Sequence, residues 1–159
     1  MNQFLDFLND CPAAIEQEFP GARNLILVNG EFRPNIDNFE YEYNWVSEQG
    51  TFKVVVNTFT KPGGEPGLKF VVFRVPTIER VSPIRTPIRV NLYEAYEAAT
   101  ERGFKPNLNN AIVFLQWEQG VTQAPAYWFL NANTNEWILV DAYDPEQIST
   151  THVQPVQPA

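Results

Sequence analysis

The chain has 159 residues, of which 44% are hydrophobic, 19% charged and 14% aromatic. That is enough apolar material for one domain with its own core, and it lacks the charge-rich, apolar-poor signature of disorder. A net charge of −8 and a pI near 4.6 argue against general nucleic-acid binding and adsorption to anionic membrane surfaces, both of which need basic side chains. A single cysteine, Cys11, rules out an intrachain disulfide.

Residues 2–19 predict a helix, because Phe4, Leu8, Cys11, Ile15 and Phe19 recur at spacings of three and four beside Phe7. Pro12 predicts a kink, or two abutting helices with Pro12 opening the second. Residues 25–28 form a short apolar run that Asn29-Gly30 closes as a turn, and residues 31–38 read as a loop. Clear alternation follows. Phe39, Tyr41, Tyr43 and Trp45 share one face of a strand, and Glu40, Glu42 and Asn44 share the other. A turn at residues 48–50 leads to a strand over 52–59, a Pro/Gly loop over 61–67 and a strand over 68–75. Residues 76–90 carry Pro76, Pro83 and Pro87, which makes this stretch an extended connection or an edge.

The second helix, residues 92–102, has sharper punctuation. Asn91 and Glu94 have the spacing of a capping box, Gly103 sits where a left-handed C-terminal residue belongs, and Phe104 is placed to fold back. Residues 111–118 read as a strand, followed by a hairpin of 126–132 and 136–142 around Asn133-Thr134-Asn135. These strands are apolar on both faces, as expected of a sheet centre covered on each side. The proline-bearing stretch 145–159 reads as a flexible tail.

Charge is segregated: residues 1–50 carry −7, residues 51–89 carry +5 and residues 90–159 carry −6. The basic middle, with Arg74, Arg80, Arg85 and Arg89, either lies across the acidic flanks or forms a strip for an acidic partner. Catalytic chemistry has few candidates. The one histidine, His152, lies in the tail, where a triad geometry has no rigid support. Cys11 lies on the apolar stripe of the first helix, the setting of an inert thiol. A zinc site would have to draw on one Cys and one His. Residues 62–67 lack the lysine and hydroxyl of a phosphate loop. Asp141, Asp144 and Glu146 read as a solvated strand end, and Glu118 as an exposed strand terminus. No cofactor and no metal is expected, and no residue is assigned a catalytic role.

Residues 88–142, ending in the run Leu130-Asn131-Ala132-Asn133-Thr134-Asn135-Glu136-Trp137, resemble the PepSY type of small domain, whose last hairpin turns on an aspartate-alanine-x-threonine-glycine-glutamate motif. Ala132, Thr134 and Glu136 match that motif, while Asn131 and Asn135 stand where its aspartate and glycine would be. The resemblance implies a binding or inhibitory module, often extracytoplasmic. Cystatin-like and NTF2-like folds share the helix-on-curved-sheet order.

The expected architecture is an α+β domain over residues 1–144, with a curved antiparallel sheet packed on two helical segments. Two helix-then-strands halves, 1–75 and 88–144, would be joined by the Pro/Arg connection. The N-terminal segment has no basic n-region and carries Asp6 and Asp10, and no apolar run approaches the ~20 residues of a membrane span. The expected location is therefore the cytoplasm. The leading functional expectation is a protein-binding module using Tyr41, Tyr43, Trp45, Arg74, Arg80, Arg85 and Arg89. The alternatives are a small-ligand protein or enzyme with a carboxylate and aromatic pocket between helix and sheet, and a subunit of a larger assembly.

Overall fold

A computed structural model of the chain describes residues 3–34, 39–64, 66–77, 81–108, 111–132 and 134–156. The first apolar stripe becomes helix α1 (Gln3–Glu18), which runs through Pro12 without a break. Proline has no N–H to give the carbonyl one turn back. Here Phe7, Leu8, Cys11 and Ile15, buried on both sides of Pro12, hold the helix on course.

Four strands follow: β1 (Ile26–Pro34), β2 (Phe39–Ser47), β3 (Gly50–Thr60) and β4 (Pro66–Val75). Then come α2 (Leu92–Glu101), β5 (Val113–Gln116), β6 (Ala126–Leu130), β7 (Trp137–Asp141) and β8 (Ile148–Thr151). Among the described residues the strands form one antiparallel sheet in the order β4-β3-β2-β1-β5-β6-β7-β8. The α+β class and the antiparallel sheet are therefore as expected.

Asn29-Gly30 does not turn the chain. β1 passes through it with a bulge between Leu27 and Asn29 and pairs onward with β2 to Pro34, so residues 31–34 are strand and not loop. Gly30 has a different purpose. A Cβ there would lie 3.1 Å from the Phe32 ring and 3.4 Å from Tyr43, so its bare backbone lets two rings close over it.

Strand alternation sorts the side chains onto two faces. Phe32, Tyr43, Trp45, Phe52, Val54, Val113, Leu115, Tyr127, Phe129, Ile138 and Val140 point inward to the helices and form one core with α1, Leu92, Ala95 and Ala99. On the opposite face Phe114, Ala126, Trp128, Trp137 and Leu139 make a smaller cluster, so β5, β6 and β7 are buried on both sides.

α2 carries the expected capping box. Glu94 N–H donates to the Asn91 side chain at 2.8 Å, and Asn91 N–H donates to the Glu94 carboxylate at 3.2 Å. Gly103 is left-handed, with φ of 89°, and Phe104 N–H folds back to the Ala99 carbonyl. The connection before α2 is stitched into the sheet: Ser82 N–H donates to Trp117 O and Ile84 N–H to Leu27 O, each at 2.8 Å.

The stretch expected to be a flexible tail is built into the fold as far as residue 156. β8 extends the sheet, and the chain then crosses the outer face to β5. There Gln116 and the backbone of Val156 exchange two hydrogen bonds of 2.9 Å. The hydroxyl-rich run Ile148-Ser149-Thr150-Thr151 has no apolar alternation, yet its backbone completes the β7 ladder.

Candidate functional site

The aromatic strip expected to offer a binding face points into the protein. Tyr43 is fully buried and Trp45 nearly so, which removes both from any surface. Tyr41 is half-buried against Phe7 and Phe32, with ring centroids 5.3 and 5.9 Å away. Burial raises the phenol pKa of Tyr41, and that of Tyr43 far more. Cys11 is likewise enclosed, and burial pushes its thiol up to about 12, beyond nucleophilic use.

Among the described residues, Arg74 lies on β4 while Arg85 and Arg89 lie on the connection before α2. Arg74 lies over the Phe19 and Phe52 rings, at 5.4 and 5.3 Å, and donates to the Gln49 carbonyl. Arg85 and Arg89 are exposed along the connection, where their backbones are tied to Tyr143 and Ala142. Arg80 falls outside the described residues. Glu118 is buried rather than exposed at its strand end, because the chain turns back over it: Val121 and Thr122 N–H both donate to its carbonyl. Asp141 and Asp144 accept backbone N–H bonds in the turn between β7 and β8.

Two features were not anticipated. The first is a polar network on the outer face of β1, β2 and β3. Glu31 and Glu42 stand directly opposite each other. Arg33 bonds both, reaching Glu31 at 2.7 Å, and Lys53 reaches Glu42 at 3.3 Å. Beside them the Asn44 amide donates to Asn29 at 2.6 Å. Glu31 is only 2% exposed, and desolvation raises its pKa although Arg33 opposes the shift. The alternation Glu31-Phe32-Arg33 carried this signal, but the turn reading of Asn29-Gly30 concealed it.

The second feature is the β4 edge. β4 ends the sheet, and its ladder with β3 runs from Thr51–Val75 to Thr60–Pro66 without a register shift. Among the described residues, no backbone hydrogen bond reaches β4 from outside that ladder. Val71 is half-buried and Phe73 is 46% exposed on its outer face. A shallow hollow of about 340 Å³ runs along the strand, between Phe70, Val71 and Val72 and the α1 residues Ala14, Gln17 and Glu18. A second hollow of about 380 Å³ lies on the outer face between Leu139, Ser149 and the loop around Thr122. Neither is lined by Glu31, Glu42 or Glu118; Glu18, in the first, is exposed, and Asp141, in the second, is half-buried with its carboxylate accepting the Tyr143 and Asp144 N–H groups.

At the opposite end of the sheet β8 has four residues, and the side chains of its central Ser149 and Thr150 are exposed. Pro66, Lys69 and Arg74 are residue types that blunt an edge, but the apolar centre of β4 (Phe70, Val71, Val72 and Phe73) on an unbroken ladder invites another strand, whereas a four-residue hydroxyl-rich edge does not. No helix of the described residues is long and apolar enough to cross a membrane.

No family model matches the chain, and no curated protein matches it. Among solved structures, the fold is similar to that of a proposed lipoprotein of Clostridium difficile 630, with a TM-score of 0.57 over 91% of this chain and 92% of that one. The two share 12% sequence identity, so the likeness is one of fold alone.

Proposed function

We propose that the chain is a non-enzymatic protein-interaction module that engages its partner by strand addition at β4. In the same reading it consists of two helix-then-strands halves on a curved sheet, α1 to β4 and α2 to β8, which meet where β1 pairs with β5. The PepSY-like resemblance then belongs to the second half, where α2, β5, β6 and β7 occupy the matching span.

The observation that carries the reading is the asymmetry of the two edges. If the halves correspond, β4 and β8 are equivalent edge strands; β8 is cut to four residues with exposed hydroxyl side chains at its centre, while β4 keeps ten with Phe70, Val71, Val72 and Phe73 at its centre. Strand addition draws affinity from main-chain hydrogen bonds and specificity from alternate side chains, and β4 supplies both. The pocket alternative has weaker support. The buried carboxylates Glu31, Glu42 and Glu118 line neither of these two hollows, Glu31 being bonded to Arg33 within the sheet face, and Asp141, which does line the second, is engaged by backbone N–H groups of the β7–β8 turn. The cytoplasm remains the proposed location, on the single free, buried cysteine.

The test is affinity capture from a lysate of the source cells, comparing the wild-type chain with a Val71→Lys/Phe73→Lys double variant whose circular dichroism is unchanged. A stoichiometric protein retained by the first and lost by the second is expected. Equal recovery by both would overturn strand addition at β4.

A further inference from the structure

We propose that the strand added at β4 is the β4 of a second copy of this chain, paired antiparallel about a two-fold axis through Val71. This rests on the strand-addition reading and names its occupant. Two eight-stranded sheets would join into one continuous sheet.

The argument comes from the symmetry of antiparallel pairing. A two-fold axis between identical strands sets each residue opposite one on the same face, so the axis must pass through a residue position. β4 spans Pro66–Val75, and two positions near its middle give the longest overlap. An axis at Phe70 would bring Pro66, which has no N–H, into the ladder opposite Arg74. An axis at Val71 leaves Pro66 outside and pairs Gly67 with Val75 of the other copy. Moving the axis to Val72 only shortens the ladder.

In the Val71 register the strand is complementary to itself. On the outer face Val71 meets its own counterpart. Exposed Phe73 meets Lys69 of the other copy, an aliphatic stem and an ammonium group laid against an aromatic ring. On the inner face Phe70 meets Val72 of the other copy, and the reverse. Lys69 belongs to the outer face and Arg74 to the inner, so no two like charges are opposed. Arg74 keeps its place over Phe19 and Phe52. The pairing covers Phe73 and gives the outward-facing backbone groups of β4 partners, the two liabilities of this edge.

The experiment is sedimentation velocity and native mass spectrometry on the full chain over a concentration series. The expected species has twice the single-chain mass of 18.2 kDa. Val71→Lys is expected to give single chains with unchanged circular dichroism, because it sets two ammonium groups face to face at the axis. Mixing Val71→Lys with Val71→Glu is expected to restore a pair containing one of each. A pair that survives Val71→Lys, or variants that do not pair on mixing, would overturn the β4 interface. A wild-type chain that stays single at its highest soluble concentration overturns the second copy. If capture of another protein is still lost on Val71→Lys/Phe73→Lys, strand addition stands with a different occupant, and if capture is insensitive, both readings fall.

Discussion

Glu31 has almost no contact with water, and the guanidinium that neutralises it is shared with Glu42. Burial raises its pKa in the folded chain above the value it has when unfolded. The folded state therefore holds the Glu31 proton to higher pH than the unfolded state does. Stability from this group is greatest below the ordinary carboxylate range, falls as pH rises through the interval between the two pKa values, and stays low above it. Glu31→Gln keeps an acceptor for Arg33 without the buried charge. Its melting temperature at pH 7 is expected to exceed that of the wild type, with the gap closing as pH falls below the carboxylate range. Parallel thermal melts over a pH series check this, and an equal or lower melting temperature at pH 7 would show that the Arg33 pair outweighs desolvation.

Between elements, the Gln116 side chain ties β5 to the chain beyond β8. Gln116 gives and receives a hydrogen bond at Val156, and Pro155 is buried beside it. Gln116→Ala removes both bonds, at about 1 kcal/mol each before the freed backbone recovers water. The expected result is a small loss of stability together with rapid hydrogen exchange at the Val156 amide. An amide that remained protected would mean that the segment is held by packing instead. Elements of this kind were the hardest to see in the sequence. α2 was legible in detail because capping is local chemistry: Asn91, Glu94 and Gly103 each act within one turn. The β6–β7 hairpin was legible for the same reason, with Asn135 left-handed at φ of 57°. Long-range contacts left weaker traces. Asn29-Gly30 has turn preference, but the close approach of Phe32 and Tyr43 uses the glycine in an extended strand. The alternation of β2 identifies a strand, yet a period of two does not say which face meets water. The face with Tyr43 and Trp45 went inward, and Glu42 and Asn44 were also buried by the network beside them. Which strand ends the sheet, and so where the candidate site lies, depends on a strand order that no single segment encodes.

At the scale of the whole molecule, charge and edge act against each other. Each chain carries −8, so two copies repel over distances longer than their contact. At about 0.15 M ionic strength that repulsion is screened beyond roughly 8 Å, while backbone pairing at β4 is short-ranged and little affected. Self-association through β4 is accordingly expected to tighten as salt is raised from very low concentration to this level, which sedimentation at several salt concentrations would show. Weakening with salt would point to an interface held by ion pairs.

The junction of β1 with β5 bears on how the protein is made. Gly30–Phe32 pair with Val113–Leu115, and β2, β3, β4 and α2 all intervene in the sequence. During synthesis the first four strands emerge as a meander whose β1 side stays open until β5 arrives. The nascent chain therefore passes through an interval with two uncapped sheet margins, a state exposed to misassembly with its neighbours. Closing that long loop must precede any gain from the central ladder, so the molecule is expected to fold slowly for its size, with β1·β5 docking as the late step.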